Sequence, residues 1–205
     1  MPDFRFVAGT HTYTLDGAVA PSITQVIEAA GLVDLSHMSG DDRQFYAERG
    51  TAVHLACHYS DVGTLDESTV ETPILGRLEA WREFRRVLAF TVLESERPRY
   101  DMVYRYAGTP DRIVSFSDGR RGVIEIKTGP IQEAVAVQLA AQARLAAMDH
   151  RPGYPSVAAD YRRIAVWLKA DGYSMREFHR GDYATDISVF LSALTIYKWK
   201  QENMK

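Results

Sequence analysis

Between Leu88 and Thr91 the hydrophobic period of the chain changes from that of a helix to that of a strand, and this limits the fold more than any other feature of its 205 residues. Upstream, Ile74, Leu78, Trp81, Phe84 and Leu88 recur at helical spacing after a Thr72-Pro73 start, with arginines on the other face. Downstream, Thr91–Glu96, Met102–Ala107, Asp111–Phe116 and Gly122–Lys127 read as consecutive short strands. Both kinds of element must share one core, so a mixed α/β layer architecture is expected. Phe4 to Thr14 reads as a hairpin, and Pro21-Ser22-Ile23-Thr24-Gln25 is a capping box opening a helix that Gly31 closes. A second helix is expected from Asp41 or Asp42 to about Tyr59, where Gly50 suggests close packing. Residues 131–148 are Ala-rich and helical, Arg163–Lys169 and Tyr173–Phe178 form a hairpin around Asp171-Gly172, and Asp186 starts a last helix. With no repeat or evident linker, the reading is one domain over 1–205, mainly helical to residue 90 and carrying the sheet and C-terminal helices from 91.

Composition excludes several classes. Hydrophobic residues at 46% and charged residues at 25% are ordinary globular usage, and the single Cys57 rules out a disulfide framework or a four-cysteine iron–sulfur cluster. No apolar run approaches a membrane span and Met1-Pro2-Asp3-Phe4-Arg5 lacks signal-peptide order, so a soluble cytoplasmic protein with no membrane partner is expected. The net charge of −3 hides an asymmetry: residues 1–76 carry 3 basic and 11 acidic side chains, 77–127 carry 11 and 8, and 128–205 carry 10 and 8. The middle stretch is mostly Arg, which suits bidentate phosphate contacts but also an ordinary solvated face.

Chemistry concentrates at Asp111, Glu125 and Lys127. Charges in a Val/Ile strand are expensive unless paired or bound to a cation. If Ser117-Asp118-Gly119 is a three-residue loop with Gly119 left-handed, Phe116 pairs with Arg120 and Asp111 falls opposite Glu125, with Lys127 on the same face. Directly opposed Cβ atoms lie about 4.5–5.5 Å apart. Two carboxylates so close favour a shared ion, and hard oxygen ligands suit Mg²⁺ or Mn²⁺. Lys127 would orient a water, take its proton if its pKa is depressed, or stabilise charge on phosphate. The reaction this assembles is phosphodiester hydrolysis; a buried ion pair joining two strands is the plain alternative.

Pro110-Asp111, thirteen residues, then Glu125-Ile126-Lys127 resembles the PD-(D/E)xK nuclease superfamily, and the flanking residues resemble its RecB-like and phage-exonuclease branch. Gly50-(x)₃-His54, Ala107 to Asp111, Lys127-Thr128-Gly129 and Gln138 match that branch in order, over most of the chain from about Pro21. The resemblance implies a restriction-endonuclease-like core, a central mixed sheet flanked by helices. It implies His54, Asp111, Glu125 and the Ile126 main-chain carbonyl as metal ligands, Lys127 as catalytic lysine and Glu96 as a further acidic site residue, with Glu94, on the same strand face, ranked second. Gln138, Arg112 and Thr128 are the expected substrate contacts, with arginines near Asp111 meeting phosphates. Where the family has tyrosine this chain has Gln142, a departure expected to affect the grip on DNA and not the metal site. The implied activity is a Mg²⁺-dependent DNA exonuclease of recombination or repair, with Mn²⁺ substituting, DNA as partner and, in a phage setting, a single-strand annealing protein. A structure- or sequence-specific endonuclease and a silent DNA-binding module are the alternatives.

Other candidates are weaker. His54 and His58 stand at i, i+4, but a zinc pair lacks the accompanying glutamate. Cys57 reads as a small core residue. Tyr100, Tyr104, Tyr106, Tyr154 and Tyr161 could stack on bases but read as packing.

Overall fold

A computed structural model describes residues 2–33, 39–149 and 151–204. Strands β1 (Phe4–Val7), β2 (Thr12–Leu15) and β3 (Ala18–Ala20) form a small antiparallel sheet, one strand more than the expected hairpin. The capping box opens α1 (Ile23–Ala29): Ser22 Oγ accepts from Gln25 N–H, and the Gln25 side chain accepts from Ser22 N–H. Helix α2 (Gly40–Val62) starts under a Ser39 cap and stops at Gly63, whose φ of 74° only glycine adopts without strain. Proline in the first turn begins α3 (Thr72–Leu88).

The central sheet has five strands in the order β10-β9-β8-β7-β4: β4 (Phe90–Ser95), β7 (Arg112–Phe116), β8 (Arg121–Lys127), β9 (Arg162–Lys169) and β10 (Gly172–Phe178). All neighbours are antiparallel except β8 and β9, which run parallel and are joined through α4 (Val135–Ala147). The sheet is therefore mixed and flanked by helices, consistent with a restriction-endonuclease-like fold. Val114, Ile124, Ile126, Ile164 and Val166 pack one face against α2 and α3, while Ile113, Val123 and Ala165 pack the other against Val135, Leu139 and Ala143 of α4. Helices α1 and α5 (Tyr183–Asn203) close over the far side of α4 through Val26, Ile27, Leu145, Phe190 and Leu194.

The sequence reading fails where a side chain competes with the ladder. Instead of one strand over 102–107 there are two three-residue strands, β5 (Arg99–Asp101) and β6 (Tyr106–Gly108), around a turn. Asp101 Oδ1 accepts from Val103 and Tyr104 N–H at 2.8 Å each, which ends the extended run. Gly50 lies over Thr128, but an added Cβ would meet Thr128 Oγ1 at an ordinary 3.5 Å, so packing does not demand the glycine.

Candidate metal and catalytic centre

The turn between β7 and β8 sets the site. Gly119 is left-handed at φ 83°, Phe116 N–H donates to Arg120 O at 2.9 Å, and the ladder runs Ser115 to Arg121, Val114 to Gly122, Ile113 to Val123 and Arg112 to Ile124. One step further brings Asp111 opposite Glu125, the register expected from the three-residue loop. Asp111 Oδ2 accepts the Ile126 N–H at 2.6 Å.

Three elements bring a cation-binding set together. His54 comes from the middle of α2, Glu96 from just past β4, and Asp111 from the entry to β7; one ligand atom from each lies within 4.8 Å of the others. His54 Nδ1 is 3.4 Å from both Glu96 Oε1 and Asp111 Oδ1, while its Nε2 lies 3.1 Å from the Ile126 carbonyl oxygen. Burial works against the charged form of His54, but Asp111 and Glu96 outweigh it and hold its pKa well above the ordinary range. Two carboxylates facing one imidazole and a carbonyl are a set of N and O donors that fits a divalent cation.

Glu125 stands beside that set and is gripped by α4. Lys127 Nζ and Gln138 Nε2 each donate to its Oε1 at 2.7 Å, and Gln142 Nε2 donates to Oε2 at 2.6 Å. Gln138 Oε1 in turn accepts from Lys127 Nζ at 2.9 Å. Positions 138 and 142 are one turn apart on the same helix face, which is why both amides reach one carboxylate. Burial and the Asp111 charge push Glu125 up; Lys127 and the bond from Gln142 oppose them. Burial would lower Lys127, but Glu125 and Asp111 raise it, so Lys127 is held as a cation and not as the depressed base the sequence left open.

Four expectations need correction. Arg112 is no substrate contact: its side chain is fully buried, bonded to Asp61 Oδ2 at 2.5 Å and Glu96 Oε1 at 3.1 Å, and stacked over Trp81. Strand alternation turns it to the face opposite Asp111, towards α3. Glu94 does not share Glu96's direction, because β4 bulges between Val92 and Glu94 and Glu96 takes a left-handed φ of 52°. Glu94 bonds instead to Arg99 at 2.7 Å, to Arg97 and to Arg151. The arginines of the middle stretch are largely spent on such pairs: Arg82 with Glu79, Arg85 with Asp61, Arg86 with Glu83, Arg120 with Asp118. Finally, Gln142 does touch the carboxylate centre.

Thr128 is half-buried, and its carbonyl accepts from Arg49 Nη2 at 2.8 Å. His58 Nδ1 lies 2.7 Å from Ser95 Oγ, so it does not join His54. Cys57 is buried and burial drives its thiol far up, which leaves it unreactive. Tyr106 and Tyr161 are core residues.

Sequence spacing gave no hint of two further residues, Tyr13 on β2 and His11 in the turn just before it. His11 and Tyr13 line the same cavity of about 220 Å³ as His54, Glu96, Asp111 and Glu125. Tyr13 Oη bridges Thr109 Oγ1 at 2.8 Å and His11 Nε2 at 3.1 Å. The aromatic alternation of a hairpin is no signal for a site, and only the fold places it there. Asp61, seven residues after His54 on α2, was also missed.

No protein-family model and no curated protein matches the sequence. Among solved structures the chain is similar to LHK-Exo in complex with dAMP, with a TM-score of 0.34 and 16% identity over 89% of this chain and 92% of that one. No helix among the described residues is long and apolar enough to cross a membrane.

Proposed function

We propose that the protein is a divalent-metal-dependent deoxyribonuclease, acting as one nuclease domain and removing nucleotides from DNA ends in recombination or repair. The observation that carries this reading is the meeting of His54, Glu96 and Asp111 within 4.8 Å beside the Lys127–Glu125–Gln138 network. His54, Glu96, Asp111 and the Ile126 carbonyl would hold the ion, with Glu125 the next available donor. A divalent ion such as Mg²⁺ or Mn²⁺ held by these residues would supply Lewis-acid polarisation of a phosphoryl oxygen and a lowered pKa for water.

The chain's own residues do the rest. Lys127, kept cationic by Glu125, is placed to hold a phosphate oxygen and stabilise the charge that grows on it during hydrolysis. Gln138 and Gln142 fix the Glu125 carboxylate, so Lys127 points in one direction before substrate arrives. Glu96 is steadied by Arg112 from behind the sheet.

End-labelled linear DNA and closed-circular DNA, incubated with Mg²⁺, Mn²⁺ or chelator, test the reading. Loss of the linear form alone, only with metal, is expected. No metal-dependent cleavage of any DNA form, or an Asp111→Ala variant as active as wild type, would overturn it; degradation of the circle would convert it to an endonuclease.

A further inference from the structure

Most arginines of this fold are spent on acids: Arg99, Arg112, Arg144, Arg162 and Arg163 each hold a carboxylate. Arg49 on α2 and Arg77 on α3 do not. Among the described residues neither forms an ion pair, and each guanidinium donates to a single main-chain carbonyl, Arg49 Nη2 to Thr128 O at 2.8 Å and Arg77 Nη1 to Pro73 O at 2.9 Å. The Nε of each is buried with no hydrogen-bond partner. Burial, and after it the charge of Arg77, holds Arg49 below the ordinary arginine range, so the two cations share one neighbourhood. Both are held in place. The Arg49 guanidinium lies 4.7 Å from the Tyr46 ring centre and 5.6 Å from that of Phe45, and Gly76, next to Arg77, packs so closely on the β9–β10 turn that no Cβ would fit against the Ala170 carbonyl.

The pair sits on the rim of the catalytic centre. Thr128, the carbonyl partner of Arg49, directly follows Lys127 at the end of β8, and Thr128 Oγ1 faces Gly50 of α2, on the sheet face opposite the Lys127 side chain. Two like charges with no acid between them are stabilised by an anion that spans both, and a guanidinium fork donates two parallel N–H bonds to one phosphate. An anion held there is a close neighbour of the phosphate oxygen that Lys127 is placed to hold, with the Lys127-Thr128 turn between them. Phosphates repeat along a nucleic-acid strand, so one strand laid over the turn offers a charge to each side of it. We propose that Arg49 and Arg77 grip a second phosphate of the bound strand, the one adjoining the scissile phosphate, on the α2–α3 side of Thr128. The proposal rests on the nuclease reading and deepens it: the substrate class is a strand with at least two consecutive phosphates, and not a lone nucleotide.

The full-length protein is given short single strands in which each phosphodiester in turn is replaced by an uncharged methylphosphonate, and both affinity in chelator and kcat/KM in Mg²⁺ are read. In wild type the linkage adjoining the scissile one is expected to cost roughly tenfold when neutral, as follows from losing one charge-assisted hydrogen-bonded contact. In the Arg49→Gln/Arg77→Gln double variant that penalty vanishes, and the log–log salt dependence of binding flattens by about 0.7, the share of one phosphate on a single strand. Arg77→Gln alone leaves the Arg49–Thr128 bond in place and shrinks the penalty without touching the loop. Arg121→Gln removes the same charge at the opposite end of β8, where Arg121 bonds the Gly153 carbonyl, and leaves the penalty whole. Penalties spread evenly over all linkages, or an adjoining-linkage penalty unchanged in both the single and double variants, overturn the second phosphate site, while metal-dependent cleavage keeps the nuclease reading intact. Inorganic phosphate that displaces the strand from wild type but not from the double variant also overturns it, because the site then takes a free anion. A protein that neither binds nor cuts DNA overturns both.

Discussion

Arg112→Met isolates the buried charge behind the metal-facing carboxylates. Arg112 and Asp61 have fully buried side chains 2.5 Å apart, and Arg112 also holds Glu96 at 3.1 Å and the Asp111 carbonyl at 2.6 Å. Breaking a buried ion pair by removing one partner costs about 3–5 kcal/mol. Two features pull the figure down. Asp61 keeps Arg85 at 2.5 Å and the Trp81 indole N–H at 2.9 Å, and Arg112 Nη2 is itself an unpartnered donor whose removal is favourable. Methionine also preserves the contact with the Trp81 ring. The expected loss is therefore near about 3 kcal/mol, against a total stability of about 5–15 kcal/mol for a domain. At about 2–4 °C per kcal/mol for this chain length, Tm falls by roughly 6–12 °C. Urea denaturation of Arg112→Met, Asp61→Asn and the double variant gives the coupling. The double variant is expected to be less destabilised than the sum of the singles by at least about 1 kcal/mol. A loss below about 1 kcal/mol for Arg112→Met, or strict additivity, would refute the argument that this pair supports the site.

Two further outcomes follow from the same network logic. Glu94 is held below the ordinary glutamate range: burial opposes this, but the Arg99 and Arg151 bonds outweigh burial. A depressed carboxylate stabilises the fold above its unfolded pKa of about 4.3 and loses that contribution as pH falls through its folded pKa, so the stability gap between wild type and Glu94→Gln, about 1–3 kcal/mol at pH 7, is full above that unfolded value and narrows as pH falls below it. Gln142→Leu strips one donor from Glu125 and destabilises by about 1.5–3 kcal/mol in urea, whereas Gln142→Glu sets a second carboxylate against Glu125 and destabilises more.

The parts of this molecule legible in the sequence are those governed by local rules. The helix cap at Ser22, the period change after Leu88 and the left-handed Gly119 each fix a few neighbouring residues, and Gly119 alone is enough to bring Asp111 opposite Glu125. Glu96 is expected from the resemblance and Glu94 only from strand alternation, and the alternation fails where β4 bulges between Val92 and Glu94 and Glu96 turns left-handed. Arg112 could have been placed: a residue next to Asp111 on a strand must face the other way, and a buried arginine needs an acid, which Asp61 supplies from α2. The parts set by packing between distant elements were not legible. Nothing in the first twenty residues announces that Tyr13 will reach Thr109, 96 positions away.

The three side chains proposed to hold the ion belong to α2, the end of β4 and the entry of β7, and His54 meets the Ile126 carbonyl across 72 positions of chain. An ion at this point is therefore a cross-link between the helical half and the sheet, and the unfolded chain has no equivalent of it. Such a ligand adds about 2.7 kcal/mol when present at a hundred times its Kd. Heating the protein in rising Mg²⁺ or Mn²⁺ should move Tm upward by roughly 5–11 °C at that concentration. The chemistry and the cohesion of the two halves would then be titrated by the same ion.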